Sequence, residues 1–153
     1  MGPPVHYCKV SSQQEEGRLL EEQLREWIDQ DVRLQDIAIL SARTGDSSSI
    51  DCMSSDIKKI LVDLTVDNVG SPPRDRIVTA RISDFKGLER AFVALTDLDC
   101  LEDSPACLAA MYVGMTRAHA GLWLPVSKEF APLLKKWQES VLPTLVKDKQ
   151  ENG

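Results

Sequence analysis

Ile37-Ala-Ile-Leu40 sets four apolar residues in a row. A strand with one wet face alternates apolar and polar residues, so an unbroken run belongs to a strand covered on both faces. Cover on both sides means helices above and below a sheet, and helical crossovers make neighbouring strands parallel. The rest of the chain supplies the parts for such a fold. Val5 to Val10 reads as a first strand, followed by a helix to about Gln30 that opens on the capping box Ser12-Gln-Gln-Glu15. Leu20, Leu24, Trp27 and Ile28 share one face of that helix.

Beyond Ile37, Thr44 to Ser49 is a Gly/Ser-rich loop and Ser54 to Leu64 has helical spacing. Val69 to Pro73 has turn chemistry, and Ile77–Ile82 and Phe92–Leu95 read as strands. Ser104-Pro105 starts a helix with the apolar stripe Leu108, Met111, Tyr112 and Met115. Gly121 can end that segment ahead of a brief strand, Leu122–Leu124. A last helix from Phe130 to Leu142 presents Leu133, Leu134, Trp137 and Val141. The expectation is one α/β domain over residues 1–146 with a mainly parallel sheet, and a frayed polar tail at 147–153.

Composition limits what such a domain does. Asp plus Glu outnumber Lys plus Arg by 24 to 18, for a net charge of −6. A free-standing domain that grips nucleic acid by bulk charge needs the opposite balance. The four cysteines form no C-x-x-C pair, and His6 and His119 have no ligand spacing, so no metal site is expected. Reduced thiols point to a cytoplasmic protein. No apolar run approaches a bilayer span, and the first residues have no signal-peptide pattern.

Two segments carry chemistry. Ile82-Ser-Asp-Phe-Lys86-Gly87-Leu88-Glu89 follows a strand, and Tyr112-Val-Gly-Met-Thr116-Arg117-Ala118 ends a helix. Together they resemble the fifth and sixth motifs of the UvrD/Rep-type superfamily 1 DNA helicases, in the family's order. The motif segments span 79–89 and 110–118, and the resemblance runs from about Asp36 to Leu124. It implies the second, C-terminal motor domain of such a helicase: a RecA-like (P-loop NTPase-like) three-layer domain.

The resemblance also implies an ATP site shared with another domain. Arg117 would be the catalytic arginine finger, since a guanidinium offers a permanent charge and a planar fork of donors to a γ-phosphate. Glu89 would meet the ribose, Gly87 would permit a close backbone approach, and Lys86 and Thr116 would lie near the nucleotide. Each has a plainer reading. An Arg at a helix C-terminus also caps carbonyls, Thr116 also closes a helix end, Gly87 also serves a simple turn, and Lys86 and Glu89 also sit well in water. Tyr112 and Met115 read as core.

The chain has no G-x-x-x-x-G-K-[ST] segment and no recognisable Walker-type acidic strand end. The implied partner is therefore an N-terminal P-loop domain, which would bring the P-loop and the ligands for Mg²⁺ accompanying ATP. Single-stranded DNA would be bound through the full protein. The family's Gln-x-x-Arg segment has no counterpart ahead of Ile37, and only a short stretch separates the Ile37 and Ile77 strands, as in a compact member. Arg81 and Ser83 stand where the family has DNA-facing Thr and His, and Arg90 replaces an aromatic residue. Those departures, with the acidic charge, leave a second reading: a degenerate helicase domain kept for protein contacts. An α/β enzyme carrying both motifs by chance is a third, and it would set Arg117 far from Glu89.

Overall fold

The structure is a computed structural model and describes residues 4–43, 48–65, 74–85 and 87–140. It contains six strands, β1 (Val5–Val10), β2 (Ile37–Ser41), β3 (Leu61–Asp63), β4 (Ile77–Arg81), β5 (Arg90–Thr96) and β6 (Ala118–Ser127). The α-helices are α1 (Gln13–Asp29), α2 (Ser55–Lys58), α3 (Pro105–Thr116) and α4 (Ala131–Ser140). All six strands join one sheet in the order β1-β6-β5-β2-β4-β3, and every pairing is parallel. The fold is the RecA-like α/β class expected of the sequence.

β2 shows why its run is continuous. Its residues are all buried. Ile37 and Ile39 pack into one cluster with Leu20, Leu24 and Trp27 of α1 and Ile57 of α2. Ala38 and Leu40 point the other way, into a cluster with Met111 and Met115 of α3 and Leu134 and Trp137 of α4. Period-two side-chain direction divides one apolar run between two cores.

The helix starts follow their caps. Ser12 Oγ accepts from Glu15 N at 3.1 Å and Ser104 Oγ accepts from Cys107 N at 3.2 Å. The return arm at α1 is displaced by one residue: the Glu15 carboxylate accepts from Ser11 N and Ser11 Oγ, not from Ser12 N.

Several expectations are corrected. The helix expected over Ser54–Leu64 lasts only from Ser55 to Lys58. Leu61–Asp63 instead pairs with Ile77–Thr79 as an edge strand, because β4 offers that backbone a full ladder where an isolated short helix is marginal. Gly121 does not end a segment. It lies inside the ten-residue β6, where a Cβ would sit 2.7 Å from the Phe92 ring. Tyr112 is 53% exposed while Met111 and Met115 are buried. Met111 and Met115, four apart, define the buried line of α3, and Tyr112 is turned about 100° away from Met111. The Val69–Pro73 turn, most of the Thr44–Ser49 loop, Val141 and the 147–153 tail lie outside the described residues.

Candidate nucleotide-facing edge

β4 reaches β5 through a short crossover. Residues 82–85 form a 3-10 turn whose Ile82 and Phe85 are buried against α3 and the sheet. The chain thus returns from the carboxyl end of β4 to the amino end of β5 along one sheet face, and Gly87 and Glu89 arrive at that amino edge. Gly87 has φ +78°, with open space around an added Cβ. Its role is backbone freedom at a turn, where a side chain would be strained. Lys86 lies outside the described residues.

α3 runs back on the same face and delivers Thr116 and Arg117 to the amino end of β6. Arg90 N donates to Arg117 O at 3.0 Å, and Arg90 pairs with Ala118 across the two strands. Glu89 and Arg117 are therefore next to each other in the backbone, each one residue ahead of a paired strand. The shared rim is the amino edge, whereas parallel α/β sheets usually bind ligands at the carboxyl edge. The short crossover and α3 both end there, which the βα order alone did not reveal.

The side chains are engaged locally. Arg117 Nε donates to Val113 O at 3.2 Å, and an Arg117 terminal nitrogen donates to Thr116 Oγ1 at 3.4 Å. Thr116 Oγ1 itself donates to Val113 O at 3.0 Å. In this state Arg117 caps the C-terminus of α3, the arrangement favoured by the helix dipole. Glu89 Oε2 meets His119 Nε2 at 2.9 Å, with both side chains more than half exposed. Arg90 is packed over the Phe85 ring, 5.6 Å from its centroid, and donates to Glu89 O at 2.7 Å. Burial pushes the Arg90 pKa down, and nearby Asp36 offsets part of this. Arg90 thus covers Phe85 as an aromatic residue at that position would, with added cation–π attraction.

The opposite, carboxyl edge holds a buried polar cluster that sequence reasoning missed. Asp97 is 1% exposed and left-handed at φ 60°. Its carboxylate accepts from Ser41 Oγ (2.5 Å), Ser48 Oγ (2.7 Å), Ser49 N (2.9 Å) and Thr96 Oγ1 (3.0 Å). Glu16 Oε2 accepts from Ser49 Oγ at 2.6 Å and from Asp97 N at 2.8 Å. Arg43 lies 3.6 Å from Asp97 and 2.9 Å from Asp99. Burial pushes the Glu16 carboxyl up, its hydrogen bonds from Ser49 and Asp97 N pull it down, and the carboxylates of Asp97 and Asp99 add to the rise. The cluster ties α1 to the ends of β2 and β5. Its acceptors are filled by the fold's own donors, so it works as a clamp. The signal in the sequence was Thr96-Asp97 at the end of an apolar strand.

Arg81 stands at the carboxyl end of β4 and pairs with Asp84 at 2.9 Å. Ser83 is exposed beside it. Among the described residues no group of three His, Cys, Asp or Glu side chains could hold a metal ion, and no helix is long and apolar enough to cross a membrane.

No family model matches the chain, and no curated protein matches it. A solved structure does. The C-terminal domain of a possible DNA helicase from Lactobacillus plantarum WCFS1 is similar with a TM-score of 0.67 at 14% identity. The similarity covers 88% of this chain and 80% of that one. This chain has the fold of a helicase C-terminal domain. At that identity the likeness speaks for the fold, and residue roles need arguments of their own.

Proposed function

We propose that the chain is the second motor domain of an ATP-dependent superfamily 1 DNA helicase of the UvrD/Rep type. In this reading its amino edge forms one wall of an ATP site. The observation that carries the proposal is the Arg90 N to Arg117 O hydrogen bond, which seats both motif segments side by side on one rim. Chance motifs would have no reason to meet. The residues suit the nucleotide: an exposed carboxylate for sugar hydroxyls in Glu89 and a five-donor cation in Arg117. Thr116 supports Arg117, and Gly87 supplies the turn ahead of Glu89.

Bound ATP with Mg²⁺ would supply the phosphoanhydride to be hydrolysed. The P-loop and the Mg²⁺ ligands belong in this reading to the partner P-loop domain. To act as a finger, Arg117 must leave Val113 O and Thr116 and turn to the cleft. Exchanging one set of acceptors for a more highly charged one makes that movement favourable only when phosphate is present. Glu89 must likewise release His119, an exposed contact that costs little to break.

Single-stranded DNA is assigned to the assembled protein. At the carboxyl edge Arg43 and Arg81 are each held by aspartates, so these two offer phosphates little free charge. That pairing is also what favours the alternative, a helicase-like module kept for protein contacts. The deciding experiment joins the chain to a P-loop domain and measures ATP turnover. Turnover dependent on Arg117 supports the motor reading, and turnover indifferent to Arg117 sinks it.

A further inference from the structure

Arg90 is where several pieces of the amino edge meet. Its backbone N donates to Arg117 O at 3.0 Å, which joins the start of β5 to the end of α3. Its guanidinium lies over the Phe85 ring, 5.6 Å from the centroid. One terminal nitrogen, Nη1, donates to Glu89 O at 2.7 Å. Phe85 opens the tight turn in which Gly87 takes φ +78° and Leu88 N donates to Phe85 O at 3.2 Å. Glu89 follows that turn, so the Arg90 side chain reaches back across it from the Glu89 carbonyl to the Phe85 ring.

This brace carries a penalty that an apolar residue avoids. Arg90 Nε is buried, and among the described residues it has no hydrogen-bond partner. A buried donor left unpaired is destabilising, and native folds keep few of them. Burial also works against the charge on the guanidinium. A Met would cover Phe85 with neither penalty. What Met cannot do is donate to Glu89 O. A bond from a charged donor is stronger than a neutral one, and this one fixes the main chain from which the Glu89 side chain projects. The Glu89 carboxylate itself meets only His119 Nε2 among the described residues, at 2.9 Å, an exposed contact that restrains it weakly.

We propose that Arg90 is a positioning residue for the ribose of the nucleotide, acting through Glu89. By holding the Glu89 carbonyl it sets the direction in which the carboxylate leaves the rim beside Arg117. The proposal deepens the motor reading and rests on Glu89 meeting sugar hydroxyls. Arg90 needs no contact with the nucleotide, since its guanidinium is turned to Phe85 and Glu89 O. Its charge is permanent, so the brace holds at any working pH. A carboxylate set in advance lowers the ordering cost of binding. The ribose does not change between ground state and transition state, so the effect belongs in KM. The finger role of Arg117 belongs in kcat.

The test is steady-state kinetics of the chain rejoined to a P-loop domain, with ATP and 2′,3′-dideoxy-ATP as substrates. The parent protein is compared with Arg90→Met, Glu89→Ala and the double variant. Arg90→Met should raise KM for ATP roughly fivefold, the effect of losing about one hydrogen bond, with kcat nearly unchanged. Its KM for the dideoxy nucleotide, which has no hydroxyl for Glu89 to meet, should match the parent's. In the Glu89→Ala background the same change should add nothing to KM for ATP. The thermal midpoint should hold, because Met covers Phe85 and removes the unpaired Nε. A rise in KM that is equal for both nucleotides overturns the proposal, since Arg90 would then only hold the turn. So does an unchanged KM for ATP in Arg90→Met where Glu89→Ala raises it, a result that leaves the ribose role of Glu89 standing. If Glu89→Ala does not weaken the preference for ATP over its dideoxy form, the ribose role falls and this proposal falls with it.

Discussion

Arg117 is a cation with two sets of acceptors to choose between, and a pair of substitutions distinguishes them. In a protein rejoined to a P-loop domain, Arg117→Lys and Arg117→Ala should both lose most ATP turnover, by ~10³-fold or more for a finger. Lys retains the charge but lacks the fork that grips two phosphate oxygens. The thermal midpoint should fall only slightly, since a helix-end cation is worth about 0.3–1 kcal/mol. A normal rate with that same small drop in midpoint would return Arg117 to capping Val113 O and nothing more. Glu16 gives a prediction in pH. Its raised pKa, caused first by burial, means the folded state holds the proton more tightly than the unfolded chain. Stability from this group is therefore complete below the ordinary carboxylate pKa and is lost as pH rises through the folded value. Glu16→Gln keeps an acceptor for Ser49 and Asp97 N without the charge. Urea unfolding should find it at least as stable as the parent protein at pH 8, with the advantage gone at low pH. An advantage that grows as pH falls would contradict the assignment.

Helix α1 is held at its N-terminal half by contacts that propensity scales do not see. Gly17 is mid-helix, where Ala is ordinarily favoured by about 1 kcal/mol. A Cβ there would sit 2.5 Å from Ser49 O and 2.7 Å from Cys52 Cβ. Gly17→Ala should therefore destabilise by about 1–3 kcal/mol, the usual cost of overpacking, as read from the denaturation midpoint. A stabilised variant would mean the 49–52 turn yields easily. Helix α3 is set by its cap and by Met111 and Met115. Ser104→Ala should cost about 1 kcal/mol through the lost bond to Cys107 N. Because α3 carries Arg117 to the rim, the same variant in the rejoined protein should also lower turnover more than a surface change of equal cost elsewhere.

At the scale of the molecule, one sheet edge holds the motif residues and the opposite edge carries the Asp97 clamp. An ATP site needs phosphate donors from a P-loop, and neither edge has one. The isolated chain should show no ATP hydrolysis above background in a coupled assay. Steady turnover by pure chain would refute the shared-site reading directly. The clamp joins α1, β2 and β5, so Asp97→Ala should be far costlier than a surface change. It would strand several buried donors, at about 1–3 kcal/mol each before relaxation. A loss under 1 kcal/mol by urea titration would show that the clamp contributes little.

Local chemistry was legible in the sequence wherever one segment suffices to decide it. The unbroken Ile37–Leu40 run fixed a two-faced strand, and Ser12 and Ser104 fixed two helix starts, because side-chain period and capping act within a few residues. Leu61–Asp63 was misread as helix because pairing with β4 decides it, and that partner lies 16 residues away. Tyr112 belongs to the apolar stripe by helical spacing, whereas the direction of α3 across the sheet covers Met111 and Met115 and leaves Tyr112 exposed. The candidate site divides in the same way. Lys86, Gly87, Glu89, Thr116 and Arg117 were legible as residue types in two motifs. Their meeting at the amino edge depends on the length of the 82–89 crossover and on the β5–β6 pairing. The clamp around Asp97 depends on side chains brought together from distant segments. Sequence determines each backbone preference, while burial and the pairing of polar groups are properties of space.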